Sequence, residues 1–328
     1  MASTRTATTS DFHGIYASTV CPMDAGGAID EAGLERHLNT VLDGTGLRGL
    51  LVNGHAGENA VLSRAEHRRV IELARRAAEG RLIVAGINSE SSEAAALLAR
   101  DAADAGADAV MVFAPFSWAL GAAPRVIVSH HEIVHQATSL PMFLFQGSVR
   151  AGHTAFAPDV LRALLALPRV VGIKEGSWET SAYEAVRRLT KSVRPDVAVM
   201  ASGDEHLLPC FVLGSEGSLV SLAAIVPELI VALDRAVARE DLAGARALHE
   251  RIYPLAKAIY GTPPGSLATA RIKACLALLR RLAHATCRAP VGDLPREEFD
   301  RLERALADAG LMQARSAAGK PALAVGMS

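Results

Sequence analysis

Short apolar runs alternate with amphipathic helical patterns eight times in one unbroken series, and this most constrains the fold. The runs fall at residues 14–18, 49–53, 82–87, 109–113, 141–145, 170–174, 197–201 and 218–222. Short continuous apolar runs bounded by turn residues read as strands buried on both faces, the signature of a parallel sheet covered by helices. Between them lie helices over about 30–42, 63–78, 91–105, 126–137, 158–166, 180–191 and 206–213. Asp30 is an N-cap, and Ser63 with Glu66 three residues on forms a capping box. Eight such units in roughly 230 residues predict a (β/α)8 TIM barrel, with a doubly wound sheet as the alternative.

After the eighth run the pattern turns all-helical, over about 227–239, 242–259, 267–283 and 296–309. The expected organisation is a disordered lead-in (1–12), the barrel (13–225), a C-terminal helical extension (226–312) and a tail (313–328). The net charge of −1 gives no support for binding nucleic acid or an anionic membrane. No apolar run reaches the ~18 residues that a spanning helix needs. The four cysteines are widely spaced, without C-x-x-C, and the N-terminus lacks the apolar core of a secretory signal. A cytoplasmic enzyme needing neither metal nor cofactor is expected.

The chemistry points to the sixth strand, where Val170-Val171-Gly172-Ile173 runs directly into Lys174. The chain has five lysines, none before position 174, and otherwise carries its basic charge on arginine. A lysine at the mouth of a buried strand is either one that snorkels to the surface or an amine whose pKa burial lowers for attack on a carbonyl. Barrel enzymes place their sites at the C-terminal ends of the strands. Also at that rim stand the loop Gly54-His55-Ala56-Gly57-Glu58, the segment 146–150, and Ser202-Gly203-Asp204. The glycine-flanked loop exposes backbone amides suited to a carboxylate, and Arg150 supplies a charged clamp. An amine beside a carboxylate grip is the layout a 2-oxo acid requires.

Taken together, GHAGE at 54–58, FLFQGSVRAG at 143–152, VGIKEGS at 171–177 and SGDEHLLPCFVLGSEGSLVS at 202–221 resemble the dihydrodipicolinate synthase/N-acetylneuraminate lyase family, over roughly residues 13–280. The resemblance implies Lys174 as Schiff-base nucleophile, Arg150 with Ala56 and Gly57 as the carboxylate site, and Phe145, Gly203 and Ser221 as further substrate contacts. It also implies a homotetramer, with a 2-oxo acid such as pyruvate and an aldehyde-type co-substrate as partners. Three positions depart from the pattern. Phe145 stands where the family has its proton-shuttling tyrosine, His55 and Ala56 replace two hydroxyl residues, and Pro115-Phe116-Ser117 replaces P-Y-Y. His55 is therefore the candidate acid–base, with His153 behind it. Phe116, Trp118 and Phe145 suit an apolar aldehyde partner, or are simply core. The implied function is a Schiff-base aldolase or dehydratase. The alternatives are a true dihydrodipicolinate synthase or a non-catalytic 2-oxo-acid sensor.

Two other motifs fail on context. His131-Glu132-Ile133-Val134-His135 matches H-E-x-x-H but lies on an outer helix, and the G-x-G-x-x-G at 44–49 precedes a strand instead of following one.

Overall fold

The computed structural model describes residues 9–149 and 152–313. Residues 1–8 of the expected lead-in, Arg150, and the tail from residue 314 lie outside them. Eight parallel strands close into one barrel in sequence order: β1 (Gly14–Ser18), β2 (Gly49–Val52), β3 (Leu82–Ile87), β4 (Ala109–Val112), β5 (Met142–Gln146), β6 (Val170–Glu175), β7 (Ala198–Ala201) and β8 (Gly217–Val220). The helices that follow them in turn are α1 (Glu31–Leu42), α2 (Arg64–Ala77), α3 (Ser92–Asp104), α4 (Pro124–Ala137), α5 (Pro158–Leu165), α6 (Thr180–Val193), α7 (Leu207–Val212) and α8 (Pro227–Ala238). The doubly wound alternative is excluded, because β1 pairs with both β2 and β8.

The two helix starts with readable caps fall where the sequence puts them, whereas α4 begins two residues earlier than expected, at Pro124. Asp30 accepts from the Gly33 amide, and Ser63 and Glu66 form the reciprocal capping box, a contribution of about 1 kcal/mol for such a cap. Among the described residues no helix is long and apolar enough to cross a membrane.

Side chains alternate between two cores. Those facing out, such as Leu50, Val52, Val110, Leu144 and Ile173, pack under the helices. Those facing in, Tyr16, Leu51, Val84, Met111, Phe143, Val171, Met200 and Leu219, fill the barrel. Thr9–Phe12, within the segment read as a lead-in, is a 3₁₀ turn that sends Phe12 into this inner core, edge-on to Phe143.

The strand period is broken at one consequential place. Met142 pairs with Val170 but Phe143 pairs with Gly172, so Val171 is an extra residue on β6. Val171 faces the inner core, and strict alternation would then turn Ile173 in and Lys174 out. The bulge reverses this: Ile173 joins the outer core and the Lys174 side chain enters the barrel. Gly172 makes the bulge possible, since a Cβ there would stand 2.4 Å from Phe143 Cε1 and 2.7 Å from Cδ1.

The first helix expected in the extension, α8, instead follows β8 as the eighth barrel helix, so the extension proper consists of α9 (Leu242–Tyr260), α10 (Ala268–Leu278) and α11 (Arg296–Asp308). It reaches back over the barrel mouth beside the loop after β2.

Candidate active site

Lys174 lies at the C-terminal end of β6 and is only 9% exposed. Its Nζ is 3.4 Å from Ser18 Oγ on β1, a strand that is no neighbour of β6. The amine therefore crosses the barrel interior and does not snorkel to the surface. Phe145, paired with Lys174 across β5 and β6, places its ring centroid 5.8 Å from Nζ. Burial pushes the Lys174 pKa down to about 8, with the field of Asp204 opposing the shift.

Asp204, in the loop after β7, is buried, and its Oδ1 accepts from the Leu222 amide at 3.0 Å. Burial raises its pKa to about 7, against the pull of the Leu222 amide and Lys174. Gly203 sits beside it, next to the Trp178 backbone. Ser221, which follows β8, shares a 2.5 Å hydrogen bond with the hydroxyl of Tyr260, the last residue of α9. The Tyr260 ring packs on Trp178, centroids 4.9 Å apart.

Loop 54–58 contains a 3₁₀ turn, His55–Gly57, closed by Gly57 N–H on Gly54 O at 2.9 Å. Ala56 and Gly57 were both expected to offer an amide to a carboxylate. The Gly57 amide is spent inside the turn, which leaves that of Ala56. Glu58 takes a left-handed conformation (φ 58°) and directs its carboxylate away from the rim into the C-terminal extension. There it meets the fully buried Lys273 of α10 and accepts from the Arg288 amide at 2.9 Å. Lys273 also donates to Thr286 O (2.8 Å), and Thr269 Oγ1 donates to His55 O (3.2 Å). The extension thus fixes the candidate substrate loop through a buried ion pair and a hydrogen bond to its backbone.

His55 is exposed as a residue at the mouth of the site, but its ring lies among phenylalanines. Centroids of Phe113, Phe145 and Phe116 are 4.5, 5.6 and 5.7 Å away. Desolvation among these rings, with the nearby Lys174 charge, pushes its pKa down, so the imidazole is neutral at pH 7. An imidazole whose charged form is so disfavoured is a weak base, and it carries no imidazolium proton to donate. His153 lies beyond this cluster, its Cδ2 near Gly121.

A cavity of about 870 Å³ opens at this rim, lined by the aromatic residues Phe116, Phe145, Trp178 and Tyr260 together with His55 and polar groups including Glu205. Trp118 is core, packed on His130 and His131. Lys174 does not itself line the cavity; its neighbour Phe145, with its ring centroid 5.8 Å from Nζ, does. The H-E-x-x-H histidine His131 points back at its own helix, Nδ1 2.8 Å from Ile127 O.

Sequence reasoning had brought Lys174, His55, Ala56, Gly57, Phe145, Gly203 and Ser221 to this rim, and the structure gathers them there. It had not selected Tyr260 or Lys273. Both carried a usable signal: each belongs to a scarce residue type, four tyrosines and five lysines in 328 residues.

The chain matches the family described as the dihydrodipicolinate synthetase family over residues 11–309. It is 31% identical over 249 residues to a 4-hydroxy-tetrahydrodipicolinate synthase of Methanothrix thermoacetophila, covering 76% of this chain and 82% of that protein. It is 28% identical over 304 residues to a probable 2-dehydro-3-deoxy-D-pentonate aldolase of Escherichia coli, covering 92% and 98%. The solved dihydrodipicolinate synthase of Bacteroides thetaiotaomicron superposes with a TM-score of 0.81 at 27% identity, over 90% of this chain and 98% of that one.

Proposed function

This chain belongs to the dihydrodipicolinate synthetase family, and from that we propose that it is a lyase that binds a 2-oxo acid as a Schiff base on Lys174. The observation that carries the reading is the buried amine beneath a cavity at the barrel mouth. Lowering a lysine pKa from 10.5 to about 8 raises the free-amine fraction at pH 7 from roughly 0.03% to roughly 10%. That amine adds to the C2 ketone, and the resulting iminium withdraws electrons from C3, so that a bond to C3 or C4 can break.

The substrate carboxylate is held by the Ala56 amide and by Arg150, with Gly203 and Ser221 as further contacts from the loops after β7 and β8. The tight turn and the Glu58–Lys273 pair keep the loop rigid, which favours binding because little order is lost. Phe116, Phe145, Trp178 and Tyr260 give the co-substrate end an aromatic wall, suited to an apolar aldehyde. Dihydrodipicolinate synthesis is disfavoured by Phe145, which cannot move a proton. The exposed Phe116 (54%) and Leu120 (90%) support self-association through the β4–α4 loop, and a tetramer is the assembly proposed.

The test is a borohydride trap. Wild type incubated with pyruvate and reduced gains the mass of a pyruvyl group, and Lys174→Ala does not. If a panel of longer 2-oxo acids also leaves wild type unmodified, the Schiff-base reading is wrong and a binding protein takes its place. Turnover of pyruvate with aspartate semialdehyde at rates typical of an enzyme would establish the synthase instead.

A further inference from the structure

Schiff-base chemistry cannot run on an amine alone. The carbinolamine loses its hydroxyl only if a proton arrives, and a C4 hydroxyl gives up its proton only to a base. Position 145, paired directly with Lys174, holds a phenylalanine. His55 is neutral and lodged among three aromatic rings. Glu205 is ion-paired with Lys257 at 3.6 Å. His206 lines the cavity as the N-cap residue of α7 and is tested alongside His55 below.

We propose that Tyr260, hydrogen-bonded to Ser221, is the group that gives and takes the substrate proton in this site. The proposal rests on the Schiff-base reading. Tyr260 lines the same cavity as His55 and Phe145. Its hydroxyl is tied at 2.5 Å to Ser221, directly after β8, and Trp178 fixes its ring. The phenol shares that cavity with Phe145, whose ring centroid lies 5.8 Å from Lys174 Nζ, so donor and amine meet at the same barrel mouth. Burial holds the phenol well above its ordinary pKa, so the resting site always contains the donor form.

The step balances without an outside acid. Once the Lys174 nitrogen has added to C2, Tyr260 donates its Oη proton to the carbinolamine oxygen. The C2–O bond breaks, water leaves, and the nitrogen lone pair forms C=N. The phenolate then faces a new iminium cation, and the Ser221 hydroxyl donates to it. It takes the proton of a C4 hydroxyl, the C3–C4 bond breaks into the iminium to give the enamine, and C4 departs as an aldehyde. Tyr260 is again a phenol. With pyruvate alone the phenolate takes a C3 proton instead, so methyl hydrogen–deuterium exchange reports the same relay.

The experiment uses full-length protein and pyruvate as the probe. Adduct trapping and methyl exchange in D2O are followed for wild type, Tyr260→Phe, His55→Ala and His206→Ala. Tyr260→Phe is expected to slow both about 10²- to 10⁴-fold, with half-saturating pyruvate within threefold and an unchanged thermal midpoint. Rates within threefold of wild type in Tyr260→Phe overturn the proposal, as does a larger loss in either histidine variant. Wild type that forms no adduct and no exchanged product with pyruvate or with the longer 2-oxo acids refutes the Schiff-base reading itself, so the two failures are separable.

Discussion

Replacing Lys174 by methionine is expected to make this protein more stable at neutral pH, by an amount the structure sets. Methionine keeps an unbranched chain of similar length in the inner core and removes the charge. In the folded chain the amine titrates near 8, against 10.5 when exposed, a difference worth about 3 kcal/mol that already contains the attraction of Asp204. The pKa is depressed by folding, which fixes the sign. Between pH 8 and about 10.5 the unfolded chain holds a proton that the native chain has released, so wild-type stability rises with pH in that window. Below pH 8 the native lysine is charged in a dry site and the whole cost is present. The advantage of Lys174→Met is therefore greatest at pH 6–7.5 and shrinks by about 1.4 kcal/mol per pH unit above 8. The assay is thermal and urea unfolding of both proteins from pH 6 to 10, with the midpoint difference on the order of 5–10 °C at the acid end. A variant less stable than wild type at pH 7, or a difference constant across the range, would refute the assignment of a desolvated amine.

The same titration predicts that borohydride trapping speeds up about tenfold per pH unit to about pH 8 and then levels off; a rate still climbing at pH 10 would mean an ordinary, solvated lysine. Lys273→Met strands the Glu58 carboxylate in a buried site and is expected to cost about 3–5 kcal/mol, whereas Lys273→Met combined with Glu58→Gln recovers more than half of it. Denaturant unfolding reads this cycle, and additivity within about 0.5 kcal/mol would show that the two groups are uncoupled. Gly172→Ala drives a methyl into the Phe143 ring and is expected to cost about 1–3 kcal/mol while slowing trapping at least tenfold, because relief of the clash shifts the bulge that aims Lys174. Unchanged trapping in a destabilised Gly172→Ala protein would separate the bulge from the chemistry.

The Glu58–Lys273 pair gives the C-terminal helices a role beyond bulk. Loop 54–58 follows β2 and contributes His55 to the cavity, yet its last residue is anchored to α10, more than 200 positions later. The order of the carboxylate loop thus depends on the packing of the extension. Tyr260 enters the cavity from the same extension. A barrel cut after β8 would lose both the loop anchor and the phenol.

The architecture was readable from the chain because it rests on local patterns. Apolar runs of strand length, helical periodicity, and caps such as Asp30 and Ser63 act within a few residues, and eight repeats of one unit leave few ways to close. The rim residues followed, since each site segment directly continues a strand. Three things were decided only in three dimensions. The facing of Lys174 depends on a one-residue register shift between β5 and β6, and neither strand's own pattern records its partner's register. The commitment of the Gly57 amide depends on the turn that the loop adopts. Lys273 and Tyr260 reach the site from helices whose own sequence reads as ordinary helix packing. Their partners Glu58 and Ser221 lie 215 and 39 positions away, and such long-range pairing is fixed by how the extension docks on the barrel, which no local periodicity encodes.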